Sequence, residues 1–224
     1  MSKIFDIWYM LSYKLENHYL GPISLRNWLW AWVLVPPALA VAGRLSWWGV
    51  LPLSLGGMVL WIGSEVAKRH RYLRFTPTRI ALDAVSQSPI VVDELVPVWA
   101  SGEFAVGDGR RLMLNEPAFY TFVRTREHIL MVHLKRTRFL LLARSRQIEV
   151  GWWYVFFKPE RLLSVQPGRI ANGLRAYLGL ALTWYPEGCS SATTVYVGCD
   201  QAHTLKRILD DLRRDAPAQA FGAL

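Results

Sequence analysis

The sequence predicts a membrane-anchored α+β protein: a two-helix transmembrane hairpin, then an antiparallel β-barrel or sandwich that ends in one helix. Three observations carry this expectation. Two apolar runs, Trp28–Gly43 and Leu45–Ser64, contain no charged residue and are separated by Arg44 alone. Beyond Lys68, β-type segments recur with turn signals every 8 to 12 residues or so, the spacing of an antiparallel barrel or sandwich. Near the end, Ala202, Leu205, Ile208, Leu209 and Leu212 share one helical face. The organisation expected is an interfacial amphipathic helix over 1–22, a hairpin over 23–67, and a cytoplasmic β-rich domain over 68–224 whose closing helix covers 200–215.

A helix rises 1.5 Å per residue, so roughly 20 apolar residues cross about 30 Å of hydrocarbon, and the second run meets that length. The first is shorter. It borrows length from Ile23–Asn27, thins the bilayer locally, or dips in and returns. Lys3, Lys14 and Arg26 precede the hairpin and Lys68, Arg69, Arg71 and Arg74 follow it, whereas Arg44 stands alone at its tip. Positive charge is retained on the cytoplasmic side, so both termini are expected there, with two spans in the inner membrane. Trp28, Trp30 and Trp32 at one boundary and Trp47 and Trp48 at the other match interfacial aromatic belts, with Lys68, Arg69 and Arg71 as basic anchors. The first apolar run begins too late for a cleavable signal peptide, so the first helix is expected to stay.

Ser2–Leu20 places Ile4, Phe5, Ile7, Trp8, Met10, Leu11 and Leu15 among polar residues, the pattern of a helix in the interface plane or of a docking surface for another membrane subunit. Gly21-Pro22 ends it, and Ser24 can cap the next helix. Small residues permit close helix packing. Here they are Ala38 and Ala42 on the first run, and Ser54, Gly57 and Gly63-Ser64 on the second; Pro36-Pro37 should kink the first. Neither run holds His, Asp, Lys or Arg, so neither offers a ligand for a proton path, an ion or a histidine-bound pigment. Glu65 reads as interfacial.

Strand candidates are 72–83 around a Thr-Pro-Thr turn, 90–92, 95–99, 103–106, 111–114, 119–123, 129–134, 138–143, 149–158, 162–165, 178–185 and 193–197, with breaks at Gly107-Asp-Gly109 and Asn115-Glu-Pro117. Asp200 can cap the final helix, whose Lys206, Arg207, Asp210, Arg213 and Arg214 should face water.

The order of hairpin, basic link, Arg74-Phe-Thr-Pro-Thr-Arg-Ile-Ala-Leu82, strands and closing helix resembles the bacterial membrane-anchored pleckstrin-homology-like proteins. In these, a Phe-Thr-x-x-Arg-Ile segment follows the hairpin and starts the first strand. The resemblance implies binding rather than catalysis, by adaptors that face lipid or protein, and transfers no catalytic residue. The stretch from Arg74 to Thr193 is longer than one such domain needs. Lys135-Arg-Thr-Arg-Phe-Leu-Leu-Leu142 could open a second, although one enlarged domain is the reading adopted.

From Lys68 onward 22 Lys plus Arg stand against 14 Asp plus Glu, a surplus of 8. The densest patch is Arg124, Arg126, Lys135, Arg136, Arg138, Arg144 and Arg146, with Glu127 as its one acidic residue. Anionic headgroups attract such residues at about 1 kcal/mol each near the surface, so these seven form the candidate lipid or partner surface. Nucleic acid is disfavoured, because Trp152, Trp153 and Tyr154 alternate as core residues of a strand. Enzymatic readings find no footing: His128 and His133 fall on opposite faces of one strand, Gly107-Asp-Gly109 lacks a following Lys-Ser/Thr, and Cys189 and Cys199 match no zinc spacing and read as free thiols. No catalytic, metal or cofactor site is expected. Two functions remain: an adaptor whose cytoplasmic domain binds a protein or anionic lipid, or an accessory subunit packed into a larger membrane complex, such as an energy-converting one.

Overall fold

A computed structural model describes residues 2–78, 80, 95–105, 111–122, 128–140, 144–186 and 190–221, of which Ser2, 104–105, 111–112, 122, 128–140, 144–157 and 159 are described by backbone alone. The elements are α1 (Ser2–Asn17), β1 (His18–Leu20), β2 (Ile23–Ser24), α2 (Leu25–Val41), α3 (Trp47–Arg69), β3 (Arg74–Pro77), β4 (Val96–Ala105), β5 (Arg111–Phe122), β6 (His128–Leu140), β7 (Arg144–Phe157), β8 (Leu162–Asn172), β9 (Arg175–Trp184), β10 (Thr193–Cys199) and α4 (Ala202–Asp215). They divide into two compact units, residues 1–72 with 135–150 and residues 73–134 with 151–224. Strands β6 and β7 each contribute to both.

In the first unit α2 and α3 pack as a pair. Ser24 caps α2 as expected, accepting from the Asn27 N–H at 3.4 Å. The helix continues through Pro36 and Pro37. Pro37 has no N–H to offer the Val33 carbonyl four residues back, and the Ser54 hydroxyl of α3 supplies the missing donor at 3.1 Å. The two helices approach closely at Gly57: a Cβ there would lie 3.0 Å from the Trp32 Cβ and 3.2 Å from its carbonyl carbon. Ala38 and Ala42, small residues suited to packing within the pair or against a partner, are exposed, and Leu29, Pro36 and Ala40 are the buried residues of α2.

α3 is the one described helix that is long and apolar enough to cross a membrane, with a mean hydropathy of 1.5 over its most apolar window. At 17 residues α2 rises only about 25 Å, short of the roughly 30 Å needed. The opening helix stops at Asn17 rather than running on to residue 22, because β1 and β2 form a small antiparallel turn around Gly21, whose φ of 64° suits glycine. β1 also pairs in parallel with β6, Tyr19 opposite Arg138.

The second unit carries an antiparallel path in the order β6-β5-β4-β10-β9-β8-β3, with β7 pairing β6. Among the described residues no pairing joins the two ends of that path. The strand candidates 95–99 and 103–106 belong to one strand, β4, and β5 passes through the expected break at Asn115-Glu-Pro117, while Gly107-Asp-Gly109 lies outside the described residues. Proline is tolerated because the described pairing of β5 with β6 begins only at Ala118, which leaves Pro117 on an edge-like stretch. Asn115 is buried, and its side chain accepts from the Trp99 indole at 2.6 Å and donates to Asn172 at 3.2 Å.

The core joins Leu114, Leu180, Leu182 and Val197 of the sheet to Leu205, Ile208, Leu209 and Leu212 of α4. The predicted apolar face of α4 is therefore the buried one, but Lys206, expected in water, is buried too. The helix also starts later than residue 200. Gln201 is its N-cap and makes no side-chain cap, while the expected cap, Asp200, is exposed.

Candidate functional site

The first unit wears its apolar side chains outward. Val41 is 79% exposed, Trp48 87% and Val59 66%, and Leu34, Leu51, Leu55, Met58 and Ile62 join them. Most are aliphatic, and they line both helices of the pair. A surface patch of a few hundred Å² is ordinary, whereas a helix pair greasy along its outer faces needs an apolar solvent or a partner.

The expected interfacial anchors fall at its ends. Trp28, Trp30 and Trp32 are exposed on the first turns of α2, Trp30 with its ring 5.0 Å from that of Trp61, and Trp47 and Trp48 open α3, also exposed. Arg69 is exposed at the far end of α3. Lys68 is not a free cation, since it pairs with Glu16 at 3.0 Å.

That pair belongs to a polar cluster tying α1, α2 and α3 together. Arg26 of α2 bonds Glu65 of α3, lies 3.7 Å from Glu16 of α1, and donates through Nε to Ser64 at 3.1 Å. The Arg26 side chain is only 12% exposed, and two carboxylates balance the two cations around it. Burying Arg26 alone would be costly; held by two carboxylates and a hydroxyl it is tolerated. Tyr72 completes the cluster by donating its hydroxyl to Glu16, and its ring meets Tyr13 edge-on at 5.3 Å. Burial first, then the Glu16 charge, pushes the Tyr72 hydroxyl well above its ordinary pKa, so it stays a donor. Arg71 and Tyr72 reach this position through two successive left-handed residues, φ 57° and 58°. Such backbone costs about 1 kcal/mol or more per residue and persists where the surroundings over-determine it.

α1 docks by its less greasy side. Asp6, Ser12 and Tyr13 are buried, Trp8 lies over Gly63, where a Cβ would sit 3.0 Å from the indole nitrogen, and Tyr9 stacks on His70 at 5.6 Å. Ile4, Phe5 and Leu11 are left exposed.

The chain matches no family model, no curated protein and no solved structure. Its reading rests on its own geometry.

Of the seven basic residues of the expected binding surface, Arg124 and Arg126 lie outside the described residues. Lys135, Arg136 and Arg138 fall on β6, and Arg144 and Arg146 on β7, in the segment 135–150 that groups with the helical unit. His128 and His133 both lie on the single strand β6, and among the described residues no His, Cys, Asp or Glu cluster could hold a metal ion. Cys189 lies outside the described residues. Cys199 is a buried thiol pushed up to about 12 by burial, with the Asp200 charge adding to it.

The sequence reading missed the Glu16–Arg26–Glu65–Lys68 cluster. Its signal was present, because Glu16 and Glu65 stand among the cations flanking the two charge-free runs.

Proposed function

We propose that this chain is a membrane-anchored binding protein with no catalytic role: α2 and α3 enter the bilayer of the inner membrane from its cytoplasmic side, α1 lies in the interface plane, and the β-rich unit engages a protein partner or anionic headgroups. The observation that carries this reading is the outward apolar surface of a helix pair whose inner face is already packed. α3 crosses; α2, about 25 Å long, crosses where the bilayer thins around it, returning both termini to the cytoplasmic side. The charged cluster then sits at headgroup depth, where its pairs are partly hydrated. Segment 135–150, with five of the candidate basic residues, groups with the helices rather than with the second unit, which supports a role beside acidic lipid. The order of helices, strands and a closing helix is the feature on which the likeness to pleckstrin-homology-like adaptors rests.

Extraction in mild detergent followed by sizing tests the proposal. A lone chain that binds phosphatidylglycerol vesicles, losing affinity with added salt and on Arg136→Glu with Arg138→Glu, is the expected result. Unaltered binding by that variant removes the basic surface from the account. A stoichiometric complex with other membrane proteins would favour the accessory-subunit reading, for which the exposed Ile4, Phe5 and Leu11 of α1 offer a contact.

A further inference from the structure

The second unit contains a pocket of about 340 Å³ whose lining brings together Trp99, Arg175, Tyr177, Asp200, Gln201 and Thr204. Its aromatic wall is fixed before any ligand arrives. Trp99 and Tyr177 stack with ring centroids 5.6 Å apart and planes 17° off parallel, and the indole N–H of Trp99 is engaged by Asn115, itself held by Asn172. A wall anchored by a stack and a buried amide pair loses little freedom on binding, the condition under which modest contacts yield useful affinity.

The charges on the rim are of opposite sign, and both groups are open to solvent. Arg175 is exposed, and its neighbour Tyr177 first, then the Asp200 charge, favour its charged form. Asp200 is exposed, and among the described residues neither it nor Arg175 takes part in an ion pair. A simple anion drawn to Arg175 would meet the Asp200 carboxylate in the same pocket, and a simple cation drawn to Asp200 would meet the guanidinium. An apolar ligand would strip water from both and repay neither. The ligand that satisfies both carries both charges.

We propose that this pocket binds a small zwitterion of the aminoalkyl phosphate type, with its phosphate on Arg175 and its ammonium between Asp200 and the Trp99 ring. Arginine presents a fork matched to phosphate oxygens, and an ammonium is drawn to an indole face and to a carboxylate together. The Gln201 amide and Thr204 hydroxyl supply further hydrogen bonds. At about 340 Å³ the pocket falls at the small end of the range of ligand sites, in keeping with a headgroup of this size. The same chemistry exists as a free metabolite and as the headgroup of a phospholipid.

Calorimetry on the full chain in an uncharged maltoside detergent tests this. Phosphoethanolamine should bind at least about tenfold more tightly than inorganic phosphate or ethanolamine alone, and Arg175→Gln or Asp200→Asn should each weaken it by about tenfold. Both residues are exposed, so thermal melts followed by circular dichroism should be unchanged in the variants. A short-chain phosphatidylethanolamine that binds more tightly than phosphoethanolamine assigns the lipid as the source, and one that fails to bind assigns the free compound. No heat with phosphoethanolamine, equal affinity for inorganic phosphate, or indifference to both substitutions overturns the proposal.

Discussion

The two units of this chain solve the same packing problem with opposite conventions. In the helical unit the exposed positions are Leu51, Leu55, Val59 and Ile62, while Arg26, the most enclosed member of its charged cluster, is 12% exposed beside Glu16 and Glu65. In the β-rich unit Leu180, Leu182, Val197 and Leu205 are fully enclosed, and Arg161, Arg169, Arg175 and Arg213 are exposed. Burial of apolar side chains organises the second unit. The first is held by close approach at Gly57, by hydrogen bonds such as Ser54 to Val33, and by paired charge, interactions that would still operate in surroundings as apolar as leucine.

The contrast can be broken most visibly by making one kind of truncation in each unit. Leu180→Ala leaves a cavity in a water-surrounded core and should cost about 2–5 kcal/mol, seen as a lower midpoint when sheet unfolding is followed by circular dichroism. Val59→Ala removes an outward side chain and should leave that midpoint unmoved. Should Val59→Ala cost as much as Leu180→Ala, the helical unit would be buried in protein and the contrast would be lost.

A smaller loss is expected from Gly57→Val. Its added carbons meet Trp32 at distances that backbone cannot relieve, so α2 and α3 must separate at a cost of about 1–3 kcal/mol. Crosslinking between cysteines placed on α2 and α3 reads this as a drop in yield. Arg26→Gln comes next. It leaves Glu16 and Glu65 facing each other without their shared cation, and because both carboxylates are partly exposed the expected cost is about 1–2 kcal/mol. The readout is faster proteolysis of α1, which this cluster holds against the hairpin.

The smallest effect sharpens the other side of the comparison. In a Cys189→Ser background the remaining thiol, Cys199, should resist iodoacetamide at pH 8 until denaturant is added. Its folded value, about 12, lies above the ordinary 9.0, so the folded state keeps the proton that the unfolded state releases. The stability tied to this thiol is complete below pH 9 and falls as pH rises from 9 toward 12. Rapid labelling of the folded chain at pH 8 would contradict its burial.

What could be read from the sequence followed the range of the interactions involved. The charge-free run that becomes α3 and the i, i+3, i+4, i+7 face of Leu205, Ile208, Leu209 and Leu212 are local patterns, and they stand where expected. Ser54, Gly57 and Ser64 were legible as small residues, although not that Ser54 answers for a proline on the other helix. Residues far apart in the chain were out of reach: Arg26 meets Glu65, Glu16 meets Tyr72, and β1 lies beside β6 with nothing in His18–Leu20 to announce it. Asn115-Glu-Pro117 misled for a related reason. Turn chemistry at those three residues gave way to the bonds Asn115 makes with Trp99 and Asn172.

The central claim is that lipid, rather than water or protein, surrounds the outer face of α3. A spin label on a cysteine at position 59, in the reconstituted full chain with both native cysteines replaced by serine, tests it most directly. The account predicts strong relaxation by lipid-soluble oxygen and little by a water-soluble nickel chelate. Access to the chelate, or to neither reagent, would contradict it.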